Sequence, residues 1–272
     1  MKSTPKFLLV AFALAYPNLA SAIAPCHGLP THDELKDALV AAVSAETSGL
    51  NLHMWATIVD RQGVVCAVAF SGSNHQNQWP GSRVISAQKA NTGNAFSLGT
   101  ASFSNGSGTS NGLALSTANL YSAVQPGGSL FGLQESNPVD PSAAYAGNPF
   151  SDPDGFDLGS TTDPMTGKKI GGINVFGGGL ALYKTGKFAV GGVGVSGDTS
   201  CADHRVAWRL RHNLGFDHLL GVDGVSGDPN RPDNIVFDLN NGTGKSAGGW
   251  GHPHCLSAAL DGDPATLPAV VQ

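Results

Sequence analysis

The chain has 272 residues, of which 13% are charged, and a formal net charge of −5 at pH 7. Nucleic acids and anionic membrane surfaces bind clustered basic residues, so this mildly acidic composition argues against both as partners. The length suits one domain with long excursions, large enough to bury a core without help.

The first residues have the pattern of a secretory signal. A basic start is followed by the apolar run Phe7–Ala15, a proline, and the small-residue triplet Ala20–Ala22. A membrane-spanning helix needs about 20 apolar residues, so this run is too short for an anchor, and no later run is long enough. We therefore predict cleavage of residues 1–22, a single domain over residues 23–272, no membrane insertion, and a periplasmic or secreted location.

Four cysteines follow the signal: Cys26, Cys66, Cys201 and Cys255. An even number in an exported chain favours two disulfides, although three pairings are open. We favour Cys26 with Cys66 and Cys201 with Cys255, because each bond would tie a loose terminal segment to the nearer half of the core. A thiolate metal site is the alternative, but no C-x-x-C spacing supports it.

The first half of the mature chain predicts a helix, a hairpin and a second helix. A capping box and apolar residues at helical spacing predict a helix over about 32–46. Residues 54–60 and 64–70 are typical of two antiparallel strands. One face of the second strand should carry Val64, Cys66, Val68 and Phe70. Ser82 can cap the second helix, which ends near residue 96.

The second half begins with a long stretch that lacks apolar periodicity. Residues 126–172 are rich in Pro, Gly, Asn and Asp, which predicts an ordered excursion or lid rather than a second domain. A second hairpin covers about 180–195, and a helix capped near Ser200 ends before Gly215. From about residue 216 an irregular C-terminal tail follows. The pattern predicts an α+β domain with a mainly antiparallel sheet and long irregular insertions.

Two stretches resemble a known family. The first is the early hairpin and helix, Ile58–Gly63 with Ser86–Thr92, and the second is the late pair, Gly177–Leu180 with Gly191–Asp198. Together they resemble the GlcG/HbpS family of haem-binding proteins, which includes the C-terminal domain of PduO. The chain is also similar to a longer exported branch through the stretches Gln78–Arg83, Leu115–Tyr121, Ser200–His204 and Gly249–Pro253.

The resemblance implies a profilin-like fold, in which helices flank a five-stranded antiparallel sheet. It also implies homo-oligomers and, in some members, haem as the cofactor. We therefore expect an exported, oligomeric protein that binds haem or a similar tetrapyrrole as its small-molecule ligand. Cys26 and His27 lack the partner cysteine of a C-x-x-C-H motif, so covalent haem attachment is excluded.

The late helix carries the first candidate site. One side of this helix carries His204, Trp208, Arg211 and His212 at spacings of three and four. An imidazole beside an indole and a guanidinium could form the wall of a pocket for a flat anionic ligand. His204 is the candidate metal ligand, as a neutral imidazole whose tautomer is fixed by Asp203 or a backbone carbonyl. The alternative is that His204 and Asp203 only cap the helix or close a subunit contact.

Cations and further histidines complete the candidates. Arg83 and Lys89 on the second helix suit a carboxylate or haem propionate, and the resemblance favours Lys89. The alternative for both is a solvated helix face. His75, in a polar loop, is a candidate distal ligand. His252 and His254 could chelate a metal from the tail, although the proline between them fixes the backbone.

Glycines crowd residues 177–197, where they allow either a phosphate-cradling loop or close packing of the sheet against a helix or another subunit. Because no G-x-x-x-x-G-K-[ST] motif is present, we favour close packing. Two alternative functions stay open. One is an enzyme acting on a small carboxylate, with Asp203 and His204 as its acid–base pair, and the other is an accessory protein without a small ligand.

Overall fold

The computed structural model describes residues 24–75, 78–100, 111–147, 157–240 and 242–272, so the predicted signal lies outside the described residues. Its helices, in chain order, are α1 His32–Ser44, α2 Ser82–Ala95, α3 Leu120–Ala123, α4 Pro141–Ala144, α5 Ser200–Asn213 and α6 Ala258–Asp261. Its strands are β1 Trp55–Asp60, β2 Val65–Phe70, β3 Leu113–Ala114, β4 Gly179–Lys184, β5 Phe188–Ser196 and β6 Asp223–Gly224. Single 3-10 turns cover Leu133–Glu135 and Pro264–Thr266.

The predicted helix boundaries agree with the structure except for one cap. The capping box between Thr31 and Glu34 is formed at the start of α1. The prediction that Ser82 caps α2 is wrong, because Ser82 is the first helical residue and Gly81 precedes it without a side-chain cap. Thr199 caps α5 by accepting a hydrogen bond from the Ala202 N–H.

The two predicted hairpins form one antiparallel sheet in the order β2-β1-β5-β4, so β1 and β5 lie at its centre. A fifth strand is not confirmed among the described residues. At the β2 edge, Val64 forms only an isolated bridge with Lys169. Gly167 and Gly171 flank that bridge in the left-handed region of backbone space, which ends the pairing. β3 and β6 form a separate parallel pair.

The prediction for the faces of β2 is wrong at Cys66. Ile58 of β1 lies opposite Ala67, whereas the next residue, Val59, lies opposite Val65, so Cys66 is the extra residue of a β-bulge. Val68 and Phe70 pack on the α2 side of the sheet. Cys66 instead packs against the opposite core, which α1 and α5 cover.

Helix α2 lies unusually close to the sheet. A Cβ on Gly194 would lie 2.0 Å from the Ser86 carbonyl oxygen, and one on Gly192 would lie 2.3 Å from that of Ala90. A Cβ on Gly179 would likewise lie 2.3 Å from the Lys89 carbonyl oxygen. The prediction that the glycine-rich hairpin packs closely against a helix is therefore confirmed.

The irregular segments belong to the two cores. The described part of the predicted excursion contributes buried side chains on the α2 side, namely Ala143, Ala144, Met165 and Ile170. From the predicted tail, Leu219, Val222, Leu267 and Val270 join the core between the sheet, α1 and α5. The described residues of the excursion and the tail thus both contribute side chains to the cores of the fold.

Disulfides join Cys26 to Cys66 and Cys201 to Cys255, which confirms the predicted pairing. The first bond attaches the segment before α1 to the bulge of β2. The second attaches the tail to the first turn of α5. Within the residues that the structure describes, no helix has the length and apolar character needed to cross a membrane.

Candidate functional site

Lys89 and Asp203 form a buried ion pair between α2 and α5. The Lys89 Nζ donates to Asp203 Oδ2 at 2.7 Å and to the Val195 carbonyl oxygen at 3.0 Å. The other carboxylate oxygen accepts the Asp198 N–H at 2.9 Å. Burial raises the pKa of Asp203 to about 6, and burial also lowers the pKa of Lys89. The positive charge of Lys89 is therefore balanced by Asp203 inside the protein, and Lys89 does not offer a free cation to a ligand.

His204 lies under the C-terminal tail. Its side chain has no exposed surface, and its Nε2 lies 3.1 Å from the Ile235 N–H and 3.2 Å from Asn234 Oδ1. The Nδ1 is buried and has no hydrogen-bond partner. Burial lowers the pKa of His204 to about 3, so the ring is neutral at neutral pH. A neutral imidazole was predicted here, but the ring does not face an open pocket.

The tail also covers the other members of the predicted pocket wall. Trp208 donates its indole N–H to the Pro268 carbonyl oxygen at 2.9 Å. Arg211 lies over the indole, 4.6 Å from the ring centroid, and makes two hydrogen bonds to Asp233, at 2.6 and 2.9 Å. Both charged side chains are completely buried. The prediction that this helix face borders a ligand pocket is therefore not supported by the described conformation.

His75 and Arg83 lie together on the other side of the sheet. The half-buried His75 ring lies 4.8 Å from Trp55 and 5.0 Å from Phe70, measured between centroids. Arg83 forms a buried ion pair with Asp163 of the excursion. Burial, reinforced by the positive charge of Arg83, lowers the pKa of His75. This cluster thus presents a neutral, partly accessible imidazole between aromatic rings.

The structure adds unsatisfied polar groups to that side of the molecule. The Trp55 indole N–H, the Gln78 side-chain oxygen and the Ser82 hydroxyl are buried without hydrogen-bond partners. Buried polar atoms ordinarily have partners, and leaving one without a partner costs about 1–3 kcal/mol. Three such atoms lie on residues in or next to the His75 cluster, so this side of the described structure has hydrogen-bonding capacity that the protein itself does not use.

His252 and His254, both in the C-terminal tail, contact different partners and do not converge on one metal site. His252 is buried, and its Nε2 lies 2.8 Å from Ser200 Oγ. The exposed His254 stacks on Phe237 at 4.2 Å and contacts Asp261 through its Nδ1 at 3.0 Å. His252 also lies beside Cys201 and Cys255, but both thiols are consumed by their disulfide.

The five predicted binding residues therefore divide into two groups. His75 and Arg83 lie near each other on the α2 side of the sheet. Lys89, His204 and Trp208 are enclosed around α5. A surface groove of about 730 Å³ runs between the start of α1 and the end of α5, and none of the five residues lines it.

A family model described as "Haem degrading protein HbpS-like" matches residues 31–210. The chain belongs to the HbpS-like family. The family match ends inside α5, so the residues that enclose His204 and Trp208 come from a segment beyond it. No curated protein sequence matches the chain.

Several solved structures resemble this HbpS-like chain at low identity. A Klebsiella pneumoniae protein, ORFY, is 22% identical, with 74% of this chain and 97% of that one covered and a TM-score of 0.43. A PduOC:haem complex is 19% identical over 66% of this chain and 89% of that one, with a TM-score of 0.41. A Streptomyces reticuli HbpS double mutant is 15% identical over 75% and 97%, with a TM-score of 0.37.

Sequence reasoning missed the partners that neutralise the buried cations. Asp163 and Asp233 pair with Arg83 and Arg211 across 80 and 22 residues, respectively. The sequence does indicate that such partners must exist, because each buried cation requires a nearby acid. The sequence pattern does not say which acid it is. Ser200 was also missed as the partner of His252.

Proposed function

We propose that this chain is an exported protein that binds haem or a similar tetrapyrrole non-covalently. The observation that carries the proposal is the HbpS-like family match over residues 31–210, because that family is described by its action on haem. A function shared by a family still has to be argued from the site of each member.

The fit of haem to the two histidine candidates differs. Iron would need a free imidazole nitrogen with space beside it. In His204 the Nε2 lies against Asn234 and Ile235, and the unpartnered Nδ1 is completely buried. His204 therefore does not fit as an iron ligand in the described conformation. It stays a predicted ligand only for a state in which residues 233–235 have moved away from α5.

His75 fits haem iron better than His204 does. Its ring is neutral and partly accessible, and it packs against the buried rings of Trp55 and Phe70. Trp79, on the same loop, exposes 52% of its surface. When bound, haem would supply iron to the neutral imidazole. Arg83 is already paired with Asp163, so it does not offer a free cation to a propionate. This arrangement supports His75 as the first ligand to test.

The test is a haemin titration followed at the Soret band, with His75→Ala, His204→Ala and the exposed His27→Ala as a control. We expect the wild type and His27→Ala to bind, His75→Ala to lose or shift the band, and His204→Ala to keep it. If only His204→Ala lost the Soret band, His204 on α5 would be the iron ligand instead of His75. Absence of a Soret band in the wild type would overturn the haem proposal.

Export and assembly are part of the same proposal. The apolar run Phe7–Ala15 with its small-residue triplet, together with two disulfides, supports a periplasmic or secreted location. We also propose a homo-oligomer, following the resemblance. Light scattering should give a mass of at least two mature chains, and a monomer at micromolar concentration would contradict it.

The alternative enzyme has no observation in its favour. A carboxylate substrate would need a free cation beside Asp203 and His204, and Lys89 is already bound to Asp203. The side chains of the proposed acid–base pair also make unrelated contacts, Asp203 with the Asp198 N–H and His204 with the Ile235 N–H. Haem binding is therefore the function to test first.

A further inference from the structure

Ser200 and His252 form a hydrogen-bonded pair that the proposed haem site does not use. Ser200 is the first residue of α5, and His252 lies in the C-terminal tail, outside the family match. The Ser200 Oγ and the His252 Nε2 are 2.8 Å apart. His252 is 2% exposed, whereas Ser200 is only half-buried, so the serine is the more accessible residue of the pair.

The surrounding contacts fix the tautomer of the histidine. His252 Nδ1 lies 2.7 Å from the Pro253 carbonyl oxygen, which can only accept a hydrogen bond. The Nδ1 must therefore carry the proton, and Nε2 must be the free base. Because Nε2 then accepts, the Ser200 hydroxyl is the donor. Burial lowers the pKa of His252 to about 4, which keeps this neutral form at neutral pH.

The hydroxyl oxygen has a second fixed partner. The Gly177 N–H donates to Ser200 Oγ at 2.6 Å, so the serine proton is left to point at His252. The adjacent disulfide between Cys201 and Cys255 holds the two segments together. The serine, the histidine and the carbonyl that orients the histidine are thus held by specific contacts, which is the arrangement of a serine nucleophile with its general base.

We propose that Ser200 is a nucleophile, that His252 is its general base, and that the pair reacts with small uncharged esters. The apolar rings near the pair suit an apolar acyl group. Tyr121 lies 5.0 Å and Phe237 lies 6.5 Å from the His252 ring, between centroids, and Phe176, next to Gly177, is half exposed.

The reaction follows from these positions. Ser200 Oγ forms a bond to the ester carbonyl carbon while its proton passes to His252 Nε2. The carbon–alkoxy bond breaks, and the alcohol leaves with the proton that His252 returns. Water then attacks the acyl group on Ser200, giving one proton to His252. That proton returns to the serine as the carboxylic acid is released.

The experiment uses diisopropyl fluorophosphate, which phosphorylates activated serines with loss of fluoride, on the full mature chain without added haemin. We expect one adduct by intact mass, located on the peptide that contains Ser200. Ser200→Ala should give none. His252→Gln should react at least about 100-fold more slowly, because a general base typically contributes about 10²–10⁴-fold.

Ser136→Ala is the matched control, since Ser136 is an exposed serine whose hydroxyl donates only to the Leu133 carbonyl oxygen. It should react like the wild type. A wild type without an adduct, an adduct on another residue, or an unchanged rate in His252→Gln would each overturn the proposal. The adduct position in the wild type decides the matter even if Ser200→Ala does not fold. None of these results depends on whether haem binds.

Discussion

Acid should destabilise this protein through two buried histidines, His204 and His252. Burial lowers their pKa values to about 3 and about 4, from an ordinary value of 6.5. The unfolded state therefore binds more protons than the folded state below pH 6.5. The stability that these rings contribute is fully present above pH 6.5 and is lost as the pH falls toward the folded pKa values.

The magnitude follows from the same values. Between pH 7 and pH 5, each histidine should remove about 2 kcal/mol from the free energy of unfolding. Burial raises the pKa of Asp203 to about 6 from 3.8, so its contribution has the opposite sign. Protonation of Asp203 stabilises the folded state as the pH falls through 6, and this offsets about 1 kcal/mol of the loss caused by the histidines. The net expected loss from these three groups is about 3 kcal/mol, and the lowered pKa of His75 adds to it with the same sign. This loss is a large part of a typical stability of about 5–15 kcal/mol.

The assay is urea unfolding at pH 7 and pH 5, followed by tryptophan fluorescence. His252→Gln removes one titrating ring, so its loss between the two pH values should be smaller than that of the wild type by about 2 kcal/mol. His27→Gln changes an exposed histidine and should keep the wild-type difference. A wild type equally stable at both pH values, or a His252→Gln variant with the full wild-type loss, would refute the reasoning.

Three further outcomes test the packing. Asp233→Ala should cost about 3–5 kcal/mol in urea unfolding because it strands the buried Arg211, whereas Asp228→Ala, in a surface pair with Arg231, should cost about 1 kcal/mol or less. Gly194→Ala should lower stability by about 3 kcal/mol or more because its Cβ would strike the Ser86 carbonyl oxygen, while Gly81→Ala meets only ordinary contacts. Alkylation without reductant should leave no modified cysteine by intact mass, and two alkylated thiols would contradict both disulfides.

The elements that sequence predicted well are those whose signal is local. The capping box at Thr31, the apolar spacing of α1 and the two hairpins are each contained within a dozen or so neighbouring residues. The bulge at Cys66 has no such signal, because it is a property of the register between two strands. A period-two pattern assigns faces correctly only as long as the pairing does not slip.

The candidate site was harder to predict because its partners are distant along the chain. Lys89 and Asp203 are 114 residues apart, and no periodic pattern relates them. The Ser200–His252 pair could have been inferred, however. The predicted bond between Cys201 and Cys255 brings the segments on either side of it together, and these include a serine next to one cysteine and a histidine three residues before the other.

The face of α5 that carries His204, Trp208 and Arg211 shows why helical spacing alone misled the prediction of a pocket wall. Three polar or amphipathic side chains at helical spacing usually mark a wet surface, but here each of them is buried. Buried polar groups are stable only with partners, and the partners come from residues beyond the family match. Asp233 neutralises the guanidinium, Pro268 accepts the indole N–H, and Ile235 contacts the imidazole.

The C-terminal tail therefore buries a polar face of α5, and it does so with specific polar contacts in addition to the apolar side chains that it adds to the core. The same tail delivers His252 to Ser200 through the disulfide at Cys255. A tail that only covered apolar surface could be replaced by many sequences. One that must supply an acid, a carbonyl and an imidazole at fixed positions cannot, because removing any single partner leaves its counterpart buried and unpaired. The polar side chains of α5 therefore depend on the tail for their hydrogen-bond and ion-pair partners.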